Sequence, residues 1–214
     1  MMQRLKKTVK RLFFPVALLF IATSFTGAYF SDSIFITGNS FETGSWAVPV
    51  SESVIISEFM ANPEAVADAS GEWFEIYNPT PNPINLNGWK YCDNDCSEVE
   101  VINSDLTILS HSYLVFAKNI DSITNGGISV DFQISNLSLT NNIDSVVLYK
   151  PDGLGGFTVV DRVDYSETAG WPIVSGESAM LNYLTADNSV MSNWSLSTST
   201  YGSGDKGTPG GPNL

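Results

Sequence analysis

Residues 71–93 read GEWFEIYNPTPNPINLNGWKYCD. Two short apolar runs, Glu72–Asn78 and Gly88–Asp93, flank a stretch of Pro, Asn and Thr, residues that favour turns. In the first run Glu72, Phe74 and Ile76 alternate with Trp73, Glu75 and Tyr77, the two-residue period of a strand. One face of that strand carries the core candidates Phe74 and Ile76. The other carries an amphipathic aromatic pair around Glu75.

The same pattern extends outward in both directions. Ser53–Met60, Val99–Ile102, Ser112–Lys118, Ser145–Lys150, Phe157–Tyr165 and Ser178–Leu184 are further short apolar runs rich in β-formers. Turn residues separate them at intervals of roughly ten, and no stretch of a dozen residues from Val54 onward has helical apolar spacing, so the pattern predicts an all-β sandwich or barrel. KPDGLGGF (residues 150–157) predicts a hairpin, because Pro151 fixes φ, Asp152 favours the turn and the glycines accept positive φ. Gly126–Gly127 marks another turn. Residues 197–214 are rich in Ser, Gly and Pro and, read alone, make a disordered tail.

Four ordered motifs carry a family resemblance. IISEFMANP (residues 55–63) opens the domain. GEWFEIYNPTPNPINLNGWKYCD follows a Glu-Trp-x-Glu-Ile/Leu-x-Asn, then Leu-x-Gly-Trp, pattern. LSLTNNIDSVVLYKPDG (residues 137–153) matches a strand and its hairpin, and NWSLSTSTYGSGDKGTPGGPN (residues 193–213) closes with Gly-Thr-Pro-Gly-x-x-Asn. In this order and spacing they resemble the lamin-tail family. The resemblance covers Ile55 to Asn213 and implies an Ig-like β-sandwich of about eight or nine strands. It also implies that the closing segment packs back along the sandwich.

The N-terminal region reads differently. Arg4, Lys6, Lys7, Lys10 and Arg11 precede a charge-free run from Leu12 to Phe30. A basic segment, an apolar segment and the small residues Thr26, Gly27 and Ala28 make a secretory signal, with cleavage between Ala28 and Tyr29. The alternative is an uncleaved anchor, since the run is long enough to span a bilayer and the basic flank would stay inside the cell. Either way the remainder is expected outside the cytoplasm, secreted or at the cell surface. AYFSDSIFITGNSFETGSW (residues 28–46) resembles the start of camelysin and TasA-type exported proteins of biofilm matrices, which implies a shared export route. The expected organisation is therefore a leader or anchor (1–28), an extended arm (29–53) and a lamin-tail-like sandwich (54–214). Ile34, Ile36 and Phe41 are β-formers in the arm, able to add as a strand to an open sheet edge. The other reading of the arm is a flexible tether.

Charge narrows the function. Without the first eleven residues the chain has five basic residues (Lys90, Lys118, Lys150, Arg162, Lys206) against 23 acidic ones, a net charge of −18. Such a body repels phosphate backbones and anionic lipid, so neither nucleic acid nor a membrane surface is an expected partner beyond the N-terminal segment itself. A catalytic site is hard to assemble. His111 is the single histidine, no Gly-x-Ser-x-Gly elbow is present, and neither a zinc ligand set nor a phosphate loop can be composed. Cys92 and Cys96 flank Asp-Asn-Asp and, in an exported protein, read as a disulfide; free thiols or a redox switch are the alternatives. The acidic stretch there offers Asp93, Asp95 and Glu98 as oxygen ligands for Ca²⁺, with a solvated loop as the competing reading. Glu58, Glu72 and Glu75 are expected to be exposed or paired with Lys or Arg.

Trp73, Trp89, Trp171 and Trp194 are core candidates; exposed, they would stack on sugars. Together these features suggest a non-catalytic surface, adhesion or extracellular-matrix module that engages protein partners or assembles with itself. A second reading is an extracellular protein that binds Ca²⁺ or polysaccharide, and a third is a hydrolase working with carboxylates alone.

Overall fold

The alternation of residues 73–77 becomes a strand because both of its faces are buried. The computed structural model describes residues 53–93, 96 and 99–214. The leader, the arm up to Glu52, the Ala28/Tyr29 junction, Asp95 and Glu98 lie outside the described residues. Twelve strands run through the described residues: β1 (Ile55–Met60), β2 (Trp73–Tyr77), β3 (Ile84–Asn85), β4 (Lys90–Asp93), β5 (Val99–Val101), β6 (Thr107–Ile108), β7 (Tyr113–Ala117), β8 (Phe132–Gln133), β9 (Ile143–Pro151), β10 (Phe157–Ser166), β11 (Ala179–Leu181) and β12 (Trp194–Leu196). One sheet has the order β12-β11-β1-β2-β7-β8, a second β10-β9-β4-β5, and β3 pairs with β6 as a ribbon. All neighbours are antiparallel except β7 and β8. The architecture is the Ig-like all-β sandwich that the sequence predicts. The strands not foreseen (β3, β6, β8 and β12) are two or three residues long, too short to show a period.

Between the sheets lies one aromatic core. Phe74 stacks on Phe116 and on Tyr91, each with ring centroids 5.0 Å apart, and Phe59 stacks on Tyr165 at 4.8 Å. Trp194 meets Phe59 and Trp171, and the aliphatic residues Ile76, Val146, Leu148 and Val163 fill the rest. Burying each large apolar side chain stabilises the fold by about 1.5–3 kcal/mol.

Strand β1 is bulged. Ile56 opposes Ile76 but Glu58 opposes Glu75, so Ser57 is the extra residue. The bulge lets Ile56 and Phe59, three apart in sequence, both reach the core. In the second sheet, the edge strand β10 is bulged between Val159 and Asp161. Asp161 ties the two irregularities together. Its carboxylate accepts hydrogen bonds from the Ile56 amide (2.6 Å) and from Asn188 Nδ2 (2.7 Å), which links β10 to the start of β1.

The first sheet also has a covered outer face. Met60, Trp73, Val115, Ala117 and Ile128 form a second apolar cluster there, with Tyr201 packed against it. The covering element is the Ser-, Gly- and Pro-rich segment 197–214. Trp73 Nε1 donates to Tyr201 Oη at 3.1 Å, and Ser203 N donates to Gly126 O at 2.8 Å. This last contact requires glycine. Gly202 has φ of +46°, and a Cβ there would fall 1.9 Å from Gly126 O. Gly202→Ala is therefore expected to lower stability by about 2–3 kcal/mol in urea unfolding. Gly153→Ala, at the tip of the β9–β10 hairpin where a Cβ meets nothing within 4 Å, is expected to cost about 1 kcal/mol from its positive φ alone.

Candidate functional site

Three carboxylates expected at the surface or in ion pairs are buried instead. Glu58 and Glu75 are wholly inaccessible and Glu72 is 5% exposed. The two ion pairs among the described residues, Arg162–Asp164 and Lys206–Glu177, involve none of them. Glu58 and Glu75 are cross-strand partners on β1 and β2, with their carboxyl groups on the outer face of the first sheet.

Hydrogen bonds from the C-terminal strap replace the missing cations. Thr208 donates its amide (2.9 Å) and its hydroxyl (2.6 Å) to Glu58, and Ser178 Oγ donates to the same carboxyl. Glu75 accepts from Ser57 Oγ at 2.6 Å and from the Gly210 amide at 2.7 Å. Asn213 fastens the end of the strap by donating to Ser57 O and Leu181 O, each at 2.9 Å. The closing Gly-Thr-Pro-Gly-x-x-Asn motif is thus a set of donors aimed at two acids. Gly207 sits where a Cβ would come within 3.0 Å of the Trp73 ring.

Burial pushes the Glu75 carboxyl up to about 8, and the neighbouring Glu58 adds to the rise while Ser57 opposes it. Burial also raises Glu58, against the hydrogen bonds from Ser178 and Thr208. Both acids are wholly inaccessible beneath the strap.

Glu72 is different. It lies beside a groove of about 330 Å³ that Asp68, Lys118, Thr140 and Asn141 help to line. Burial raises its carboxyl to about 7; the Leu139 amide opposes the shift, Asp68 and Asp144 reinforce it and Lys118 lowers it.

The remaining predicted residues fall elsewhere. Cys92 and Cys96 are joined by a disulfide, with Tyr149 Oη 3.5 Å from Cys96 Sγ. Of the three Ca²⁺ candidates only Asp93 is among the described residues. It faces the loop before β9, accepts from the Ser138 amide at 3.0 Å, and its carboxyl is raised by burial. Among the described residues no three His, Cys, Asp or Glu side chains gather closely enough to hold a metal ion. Trp73, Trp89, Trp171 and Trp194 are all buried, so none of them offers a sugar-stacking surface. His111 stands exposed in a turn at φ of +52°, its Nδ1 3.3 Å from Tyr77 Oη.

Two expectations follow from the buried acids. Glu58→Ala leaves the Thr208 amide and Ser178 Oγ without their acceptor and is expected to cost about 3 kcal/mol in denaturant unfolding. Deleting residues 207–214 should cost at least as much. The two changes combined should cost less than their sum, because they remove the same contacts. The second expectation concerns pH. Glu75 and Glu72 hold their protons in the folded protein up to about 8 and about 7, whereas the unfolded chain releases them near 4.5. Across that window the folded state binds more protons, so stability is full below the unfolded value and is lost as pH rises through the folded values. The melting temperature should therefore fall between pH 5 and pH 8.5, and Glu75→Gln should flatten that slope.

The comparisons with known proteins agree with this architecture. The Lamin Tail Domain family model matches residues 47–167, more than half of the chain, from the approach to β1 through β10. No curated protein matches. The strands β11 and β12 complete the first sheet beyond the matched region, and the strap covers its outer face. On the strength of that match and of the sandwich it falls on, the chain belongs to the lamin tail domain family.

Proposed function

We propose that this protein is an exported, non-catalytic module that works outside the cytoplasm by engaging protein partners, in the first place other copies of itself. An Ig-like domain of this family is compatible with a protein-interaction role. The observation that carries the reading is the open edge of the second sheet. Strand β10 is ten residues long and, among the described residues, pairs on one side only, with β9. Phe157 and Val159 are 41% and 50% exposed along it, and Leu154 at the hairpin tip is 93% exposed. An unpaired strand with apolar side chains is a template for an added strand.

The arm supplies a strand of suitable chemistry in Ile34, Ile36 and Phe41. The described chain begins next to this edge, since the Ile56 amide is bonded to Asp161 of β10. An arm from one copy adding to β10 of another would give head-to-tail assembly, which grows as a chain unless the rotation closes. The basic and apolar leader supports export, and the acidity of the remainder supports solubility outside the cell.

Protein starting at Tyr29 should oligomerise in sedimentation velocity, and protein starting at Val54 should not. Val159→Lys on the longer protein should return it to monomer. If both lengths stay monomeric at high concentration, the assembly reading fails. Export is tested separately by the N-terminal sequence and intact mass of native protein in cell and medium fractions. A start at Tyr29 in the medium means release, Met1 retained in membranes means an anchored display module, and Met1 in the cytoplasm overturns export.

A further inference from the structure

The groove beside Glu72 has hydrogen-bond acceptors and lacks donors to meet them. Glu72 is 95% buried by its 5% exposure, yet it stands at the wall of an open groove and has no Lys or Arg at ion-pair distance. The Leu139 amide is its hydrogen-bond donor. Asn141, on the loop before β9, gives its Nδ2 to Asp68 Oδ2 at 3.2 Å. Its Oδ1 is shielded from solvent and has no partner. A buried carbonyl oxygen left unpaired costs about 1–3 kcal/mol, and such atoms in native structures call for a missing donor. The groove therefore holds a buried carboxyl, a second carboxylate and an orphaned carbonyl, contributed by the helical turn Asp68–Gly71, the start of β2 and the 138–141 loop.

Charge points the same way. Asp68 and Glu72, when ionised, stand against a single ammonium, Lys118. Asp144 adds a further negative charge behind the groove but is satisfied by the Thr140 and Ser145 amides at 2.8 Å each. One monovalent cation brings the groove itself to neutrality. A metal ion is a poor candidate because no three acidic, His or Cys side chains converge among the described residues. A guanidinium suits the acceptors better. It is planar, always charged, carries five donors, and can meet carboxylates in pairs while turning a further N–H to a carbonyl.

We propose that this groove is a binding site for a guanidinium group, the side chain of an arginine presented by a partner protein. The site is separate from the β10 edge and does not depend on the assembly reading. Binding would hold Glu72 in its ionised form. Burial and the charges of Asp68 and Asp144 on the raising side, against the Leu139 amide and Lys118 on the lowering side, leave Glu72 partly protonated near neutral pH. Binding should thus release a proton and strengthen with pH.

The probe is N-acetyl-L-argininamide, titrated into the purified protein by calorimetry and followed by backbone NMR shifts at Ser138–Asn141. The expected result is saturable binding that tightens about tenfold from pH 6 to pH 8. Glu72→Gln should weaken it by at least about tenfold, and Asn141→Ala by several-fold. Lys118→Met should strengthen it, because it removes the one competing cation; this variant guards against mistaking a folding defect for lost recognition. N-acetyl-L-norleucinamide, of similar length but uncharged, should not bind. Free arginine binding much more tightly than the blocked form would assign the site to the amino acid rather than to a protein side chain. No saturable binding, or binding indifferent to both Glu72→Gln and Lys118→Met, overturns the proposal.

Discussion

Two glutamates facing each other across β1 and β2, with no cation to pair them, are the constraint around which this domain is arranged. A carboxylate taken out of water costs several kcal/mol unless donors replace the solvent. Two of them side by side cannot both ionise cheaply. The solution is a mixed one. Burial keeps a proton on Glu75 up to about 8, while Glu58 is surrounded by Thr208 and Ser178 donors. Because the donors come from residues 207–213, the last residues of the chain are fastened to the first strand. A segment whose composition suggests disorder is ordered by hydrogen bonds rather than by apolar content.

The strap has a second effect. A sheet with one face in the core can leave the other to solvent. Here the outer face carries Trp73, Met60 and Val115, which would be a sticky exposed patch without cover. Segment 197–214 buries them, and its close approach at Gly202 and Gly126 locks it against the 119–131 loop. The first sheet is thereby covered on both faces.

Much of this was legible in the sequence, and the failures have physical causes. Period-two alternation located β2, short apolar runs between turn residues located β7 and β9, and the Pro-Asp-Gly turn located the β9–β10 hairpin, because these signals are local. Cys92 and Cys96 were legible as a pair for the same reason. The burial of Glu58, Glu72 and Glu75 was not, since it depends on donors more than a hundred residues away in the case of Thr208 and Gly210. A Glu on the outer side of an amphipathic strand normally reads as solvated. The signal that could have revealed it was the closing Gly-Thr-Pro-Gly-x-x-Asn motif, read as a donor set in search of acceptors. Asp161 and Asn141 were missed because their roles arise from a bulge and a loop, which leave no periodic trace.

The contrast between the two kinds of buried acid separates structure from function in this fold. At Glu58 and Glu75 the identified hydrogen bonds come from the chain itself, and access is closed by the strap, so the acids serve cohesion. At Glu72 the burial is similar but the accounting is incomplete: a backbone amide, an ammonium that lines the groove without pairing, an unpaired carbonyl at Asn141 and an open groove. A fold that satisfies two acids with a dedicated segment has the means to satisfy a third, for instance with one more Lys. Leaving Glu72 partly unsatisfied beside a groove costs the fold stability that the strap recovers at Glu58 and Glu75. Unmet hydrogen-bonding capacity beside a groove is what sets Glu72 apart from the two acids that the strap fastens.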